Sequence, residues 1–303
     1  MRALLALDGS PSSLAASELA ASLAWPSGSI IDVVGVVASA TDAGPARHQF
    51  EGMLDAAAAS LAGDSRIVRR TTPAGRPGTV LVELAADLRA ELVIVGSRGR
   101  GRLRSMLLGS VSAEVVDHAP CPVLVVRRAA AGSVLVAVDG SPSADGAVSY
   151  LIANRFLAGH PIEVLSVAPG PDLPMTLPLS EGADRPVETA EARLVEDRWR
   201  AEATAANAAR RLDESGYAVR WSIGTGDAAH EIILAAENFD SGLIVMGSRG
   251  HTGLTRLLLG SVARNVLLHT ATSVLVVREP LRVAAPEAIK VPARVERPEA
   301  VSV

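Results

Sequence analysis

Short runs of apolar residues alternate with longer segments in which apolar and polar residues mix, and this alternation continues along most of the chain. The runs at 3–7, 92–95 and 123–126 are almost wholly aliphatic, which is the pattern of strands buried on both faces. The mixed segments at 12–25 and 77–88 are rich in Ala and Leu and predict helices. Strands that alternate with helices predict an α/β fold whose parallel sheet is covered on both faces.

The same order of elements occurs twice. Residues 2–12 and 133–143 both end a strand in Asp-Gly-Ser-Pro-Ser, and residues 96–112 match residues 247–263 at ten of seventeen positions. Such a repeat indicates two copies of one domain. The chain is therefore predicted to have three parts: a first domain at 1–128, a second domain at 132–278 and a flexible tail at 279–303.

Five strands are predicted in each copy. With right-handed crossovers they form two tandem doubly wound, five-stranded parallel sheets in the flavodoxin-like order 3-2-1-4-5. In this order, the connections after strands one and four leave toward opposite faces of the sheet. A ligand is expected in the crevice at that switch point, at the carboxyl ends of the strands.

A glycine-rich loop follows the fourth strand of each copy. Its spacing, Gly-x2-Gly-x9-Gly-Ser, is formed by Gly96, Gly99, Gly109 and Ser110, and again by Gly247, Gly250, Gly260 and Ser261. Glycine lets the backbone approach a ligand closely, and the free N–H groups at a helix start favour an anion. The spacing predicts a phosphate site in each copy; the alternative is that the glycines serve only turns and tight helix–strand packing.

Two pairs of charged residues lie at the predicted sites. Asp8 and Asp139 end the first strand of each copy, where they could contact the ribose or the metal of a nucleotide. They could equally cap a turn, because Asp-Gly-Ser-Pro is typical of turns. Arg98 and Arg249 lie inside the glycine loops and either reach the phosphates or remain solvated.

These motifs together resemble the ATP-binding subclass of the universal stress protein family, in tandem-domain form and with an adenine nucleotide alpha hydrolase-like fold. The resemblance covers residues 1–128 and 132–278. It implies that each domain binds ATP, with Mg²⁺, and that the strand-one turn and the end of strand two hold adenine and ribose. The residues that it adds to the predicted sites are Ala6, Leu7, Val36 and Val111 in the first domain, and Ala137, Val138, Val167 and Val262 in the second.

Composition narrows the classes of partner. The formal net charge of −4 gives no basic field for nucleic acid, and no apolar run is long enough to span a membrane. The single cysteine, Cys121, excludes an intrachain disulfide, so the expected location is the cytoplasm. The apolar final strands, 122–127 and 273–278, are predicted to be edge strands that pair with each other or with a second chain, which would give a homodimer.

The predicted function is that of a regulatory module in which nucleotide occupancy biases conformation or partner choice. One alternative is a slow ATPase or nucleotidyl-transfer enzyme that uses Asp8 and Asp139 with a metal. Another is a structural dimer whose glycine loops no longer bind. No nucleophile with a positioned base is evident in the sequence, which favours the regulatory module. His118 and His269, which occupy matching positions, are interpreted as helix-end residues.

Overall fold

The computed structural model describes residues 1–38, 44–63, 66–99, 108–170, 187–250 and 259–278, and the backbone alone at 187–190. The predicted tail at 279–303 lies outside these ranges, as does the middle of each glycine loop. In the first half, the described elements are β1 (Arg2–Ala6), α1 (Pro11–Ser22), β2 (Ser29–Val34), α2 (Pro45–Leu61), β3 (Arg66–Thr71), α3 (Pro77–Asp87), β4 (Leu92–Gly96), α4 (Ser110–His118) and β5 (Val123–Val126).

The second half repeats this order. Its described elements are β6 (Ser133–Val138), α5 (Pro142–Asn154), β7 (Ile162–Ala168), α6 (Val187–Glu214), β8 (Val219–Thr225), α7 (Ala228–Asn238), β9 (Ser241–Gly247), α8 (Ser261–His269) and β10 (Ser273–Val277). The α6 helix has 28 residues, against 17 in its counterpart α2. Ser10 and Ser141 are the N-caps of α1 and α5, and each hydroxyl accepts from the N–H three residues on.

The strands form one continuous sheet in the order β3-β2-β1-β4-β5-β10-β9-β6-β7-β8. Each half therefore has the predicted order 3-2-1-4-5, with parallel pairing inside the half. The halves join through an antiparallel pair in which Leu124 lies opposite Leu275. Among the named strand pairs of the described sheet, this pair alone is antiparallel.

Within each half the final strand is the edge strand, as predicted, and in the whole sheet the two final strands pair with each other. β5 lies between β4 and β10, and β10 lies between β5 and β9, so both sides of each strand are already paired. Of the two predicted pairings, the one within the chain is found. A homodimer through these strands would need a free edge that the chain itself occupies.

Two hydrophobic layers cover the sheet. Leu5 belongs to a layer with residues of α1, α2, α5 and α6, whereas its neighbour Leu4 belongs to a layer with residues of α3, α4, α7 and α8. This alternation follows from the two-residue period of a strand. Both layers include side chains from both halves, so the core continues across the β5–β10 junction.

Candidate functional site

A tight turn follows the first strand of each half. The Asp8 carboxylate accepts through Oδ1 from the backbone N–H of Ser10 at 2.9 Å, and Asp139 accepts from Ser141 in the same way at 2.9 Å. The glycine between the aspartate and the serine of each turn has a positive φ, 79° at Gly9 and 77° at Gly140, which non-glycine residues rarely adopt. The turn interpretation of both aspartates therefore holds, and it uses one carboxylate oxygen of each.

The other carboxylate oxygen of each aspartate faces the glycine loop. A Cβ atom placed on Gly99 would lie 2.8 Å from Oδ2 of Asp8, and one on Gly250 would lie 2.8 Å from Oδ2 of Asp139. Only glycine permits this approach without displacement of the carboxylate. The turn after strand one and the loop after strand four thus meet at the switch point in both halves.

The two ends of each glycine loop are hydrogen-bonded to each other. Gly109 donates its N–H to the Ser97 carbonyl at 2.7 Å, and Gly260 donates to the Ser248 carbonyl at 2.8 Å. α4 and α8 begin at the next residue, and the glycine in the N-cap position of each provides no capping side chain. Their first N–H groups therefore carry the positive end of the helix dipole to the switch point.

A cavity of about 310 Å³ opens at the switch point of the second half. All ten residues predicted for that half line it: Ala137, Val138, Asp139, Val167, Gly247, Arg249, Gly250, Gly260, Ser261 and Val262. Ser261 is exposed at the start of α8, and the remaining walls are largely aliphatic. A concave, mostly apolar cavity with a few polar groups is typical of small-molecule sites.

Seven further lining residues are not predicted from the sequence: Ala144, Leu165, Ala228, Ile232, Met246, Leu259 and Ala263. The spacing of apolar residues along the sequence could have identified two of them. Leu165 lies two residues before Val167 on β7 and therefore on the same face of the strand. Ile232 lies one helical turn after Ala228 on α7, so both face the same way once the start of α7 is known.

In the first half, three of the four predicted apolar residues lie on one face of the sheet. Ala6, Val36 and Val111 are partly buried against the hydrophobic layer that includes α3 and α4. Leu7 is buried in the layer on the opposite face of the sheet, so its side chain points away from the other three. Gly96, Arg98, Gly99, Gly109 and Ser110 form the described parts of the loop and of the helix start.

Serine hydroxyls hold the first-half loop more closely than the second-half loop. The Arg98 carbonyl accepts from the hydroxyls of Ser10 and Ser12, and the Arg98 N–H donates to Ser12 Oγ at 3.1 Å. The Ser112 hydroxyl adds bonds to the carbonyls of Ser97 and Gly109, each at 3.0 Å. At the position of Ser112, the second half has Ala263.

Two charged side chains are found among the described residues that line the second-half cavity. Asp139 is the only acidic one and Arg249 the only basic one within that described set. That lining set includes neither histidine nor cysteine, so it contains no nucleophile–base pair of the Ser–His or Cys–His type. Within the described ranges, no cluster of three or more metal-ligating side chains occurs.

The candidate reactive residues outside the cavity have structural contacts. His118 and His269 each place Nδ1 near the carbonyl one turn back, at 2.9 Å from Glu114 and 2.8 Å from Asn265, at the ends of α4 and α8. Burial raises the pKa of Cys121 to about 12. A thiol with that pKa stays protonated at neutral pH and is a poor nucleophile.

Fold and site together define a tandem α/β protein with a glycine-lined crevice at each switch point. The family model described as the universal stress protein family matches residues 1–127 and 131–278. The chain belongs to the universal stress protein family. A universal stress protein of Mycolicibacterium smegmatis is 30% identical over 242 residues, 77% of this chain and 76% of the relative. One from Mycobacterium tuberculosis H37Rv is 33% identical over 218 residues, 67% of this chain and 66% of the relative.

Solved structures share the fold over nearly the whole chain. A universal stress protein from Archaeoglobus fulgidus, 23% identical, superposes with a TM-score of 0.59 over 91% of this chain and 98% of its own. Another, described as a putative universal stress protein from Pseudomonas aeruginosa, is 22% identical with a TM-score of 0.60. Of the described helices, none has the length and apolar character needed to cross a bilayer.

Proposed function

We propose that this universal stress protein is a regulatory module that binds ATP, with Mg²⁺, at one site in each half. One observation supports this most strongly. The second-half cavity is lined by all ten residues that the sequence predicts for that site. Its volume of about 310 Å³ falls within the range of small-molecule sites.

The lining divides into an apolar part and a polar part, as a nucleotide requires. Leu165, Val167 and Ile232 provide aliphatic surface for an adenine ring. Arg249 and Ser261, together with the first N–H groups of α8, provide a cation and donors for phosphate oxygens. The apolar part thus accounts for base binding and the polar part for phosphate binding.

The acidic side chain of the cavity limits how a metal could be held. Mg²⁺ in nucleotide sites is commonly bound by one or two carboxylates together with substrate phosphates. Asp139 is the single carboxylate in the described part of the lining, so the residues fit a Mg²⁺ that the nucleotide brings and that Asp139 assists. When bound, the metal would neutralise phosphate charge, and the residues of the chain would orient the nucleotide.

The described lining residues contain no nucleophile–base pair, so what they offer is binding groups rather than the parts of a hydrolytic site. In this proposal, occupancy by the nucleotide changes the conformation at the switch point and thereby the choice of partner. The proposal assigns the protein to the cytoplasm, where ATP is available. The buried free thiol of Cys121 fits a reducing compartment.

Isothermal titration with MgATP tests the proposal. We expect two equivalents for the native chain, one for Gly109→Glu, one for Gly260→Glu and none for the double variant. A glutamate at either N-cap would put a side chain and a negative charge where the phosphate is proposed to bind. Gly52→Glu is the matched control, because a Cβ there meets nothing within 4 Å; we expect it to retain both equivalents.

Two outcomes would redirect the proposal. Two equivalents that persist in the double variant refute the site assignment. ATP hydrolysis in single-turnover experiments, abolished by Asp8→Ala combined with Asp139→Ala, would favour the enzyme alternative.

A further inference from the structure

Two matching arginines cross the junction between the halves. Arg127 follows β5 and Arg278 follows β10, at the same position of the repeat. The Arg127 guanidinium donates to the Leu267 carbonyl at 2.6 Å, in the last turn of α8. Arg278 donates to the carbonyls of Val116 and Asp117, at 2.8 Å in the latter case, in the last turn of α4. Each arginine therefore binds the helix of the opposite half.

The carbonyl of Val116 needs a donor from outside its own helix. Continuation of α4 would pair this carbonyl with the backbone nitrogen of residue 120, but Pro120 has no N–H. Arg278 provides the missing donor, and its positive charge lies at the negative end of the helix dipole. The last carbonyls of a helix are thus satisfied by a side chain that belongs to the other half.

Both guanidinium groups are largely shielded from water. Burial is the main cause that lowers the pKa of Arg127 to about 10 and also lowers that of Arg278. A guanidinium keeps its positive charge in proteins at neutral pH. A charged donor in such surroundings makes stronger hydrogen bonds than one in water, so loss of either group should disturb the helix that it binds.

The helices held in this way are the ones that begin at the glycine loops. α4 and α8 have nine residues each, so the arginine contact at the last turn lies about two turns from the proposed phosphate contact at the first. Helices this short are marginal without tertiary support. We therefore expect loss of a contact at the last turn of such a helix to loosen the N–H groups at its first turn.

Each arginine also adjoins the glycine loop of its own half. The Ser97 N–H donates to the carbonyl of Val126, the residue before Arg127, at 2.8 Å. The Ser248 N–H donates to Val277, the residue before Arg278, at 2.9 Å. A continuous path of bonded residues thus runs from the loop of one half to the phosphate helix of the other, in both directions.

We infer that Arg127 and Arg278 are positioning residues that set the nucleotide affinity of the opposite half. Arg127 maintains the second site through α8, and Arg278 maintains the first site through α4. This inference rests on the proposed nucleotide sites, and it adds that the sites depend on each other crosswise. Removal of either arginine should therefore impair the site to which it does not belong.

Single-site proteins separate the two effects. Gly109→Glu leaves the second site and Gly260→Glu leaves the first, and Arg127→Gln is introduced into each. We expect MgATP to bind the second site about tenfold more weakly, the scale of a charged helix-end contact, and the first site to change by less than about twofold. Arg278→Gln should give the opposite pattern. Arg127→Lys keeps the charge and should recover part of the affinity.

Arg128→Gln is the matched control, because this substitution removes the same charge one residue away. The Arg128 side chain makes an exposed ion pair with Asp240. The substitution should leave both sites unchanged. Hydrogen exchange without nucleotide provides a second readout. Arg127→Gln should accelerate exchange in α8 and leave α4 as in the parent, which general destabilisation of the fold would not produce.

The outcomes distinguish the two proposals. If neither single-site parent binds MgATP, the proposed function is refuted and the inference with it. If the parents bind but Arg127→Gln weakens both sites equally, weakens only the first site, or changes neither, the inference alone is overturned. The inference is supported if each arginine substitution lowers MgATP affinity at the site of the opposite half and accelerates hydrogen exchange in the helix of that half.

Discussion

The two halves build the same turn around the first-strand aspartate, but they occupy its amides differently. In the first half, the Ser13 hydroxyl accepts from the Gly9 N–H at 3.1 Å and from the Asp8 N–H at 3.4 Å. At the equivalent position the second half has Ala144, which has no hydroxyl to offer and whose side chain lines the cavity. One repeated backbone thus supports two chemically different sites.

Because the turns differ in this way, we expect the two sites to differ in affinity although the glycine motif is the same. In the first half, a ligand that used the turn amides would compete with the Ser13 hydroxyl for them. In the second half, that competition is absent at residue 144 and the adjoining wall is apolar. We therefore expect the second site to bind nucleotide more tightly than the first, by about fivefold to tenfold, the scale of one hydrogen bond.

We expect the two halves to unfold as one unit. Substitutions at the junction test this, and they have the largest predicted effect on stability. Leu124→Ala and Leu275→Ala each remove a fully buried side chain from the antiparallel pair that joins the halves. Each should lower the free energy of unfolding by about 3 kcal/mol. Chemical denaturation followed by circular dichroism should show one transition in both variants.

Leu14→Ala is the control, because Leu14 is an exposed residue of α1, and it should change stability by less than about 0.5 kcal/mol. The double junction variant should deviate from additivity, since the two leucines lie directly opposite each other. Two separate unfolding transitions, with Leu124→Ala affecting only one of them, would show that the halves fold independently.

The next largest effect, on MgATP affinity, is expected when the residue at which the two turns differ is replaced by its counterpart from the other half. Ala144→Ser should weaken MgATP binding at the second site by about fivefold to tenfold, because a hydroxyl would occupy cavity space and compete for the Gly140 amide. Ser13→Ala should strengthen the first site by a similar factor. Titration of the single-site proteins Gly109→Glu and Gly260→Glu measures each site alone.

Ser22→Ala serves as the control, since this hydroxyl lies at the far end of α1 and donates only to the Leu19 carbonyl in the described contacts. It should leave both affinities unaltered. If Ala144→Ser binds as tightly as its parent, the serine at position 13 is not the cause of a difference between the sites.

Much of the fold followed from local pattern. The strand order within each half and the position of the glycine loops were predicted because the aliphatic runs, the turn residues and the repeat all indicate the same topology. Helix α4 was predicted with its observed bounds, since a glycine precedes Ser110 and a proline follows soon after His118. These signals act within a few residues, where sequence is most informative.

The junction and part of the site could not be predicted in this way. An apolar final strand pairs equally well with its internal copy or with a second chain, so the sequence left both possibilities open. The role of Ser13 depends on which amides its helix approaches. The contacts of Arg127 and Arg278 depend on where two helices end relative to a strand of the other half. Such features are set by tertiary placement rather than by spacing along the chain.

The smallest predicted effect concerns a position at which the halves differ away from the sites. The first half has the buried Cys121 where the second has Thr272. Burial raises the pKa of Cys121 in the folded chain to about 12, whereas an unfolded thiol ionises near pH 8.5. Above that lower value the unfolded state loses a proton that the folded state keeps, so stability falls as pH rises toward 12.

Cys121→Thr removes this titration and makes the first half match the second. Between about pH 8 and pH 9.5, the native chain should lose about 1 kcal/mol of stability relative to the variant. Urea denaturation of both proteins at each pH measures the difference, and other groups that titrate alike in both proteins cancel. Parallel curves would mean that the thiol ionises in the folded chain near its ordinary pKa, and a thiol reagent that modifies the native protein at pH 8 would lead to the same conclusion.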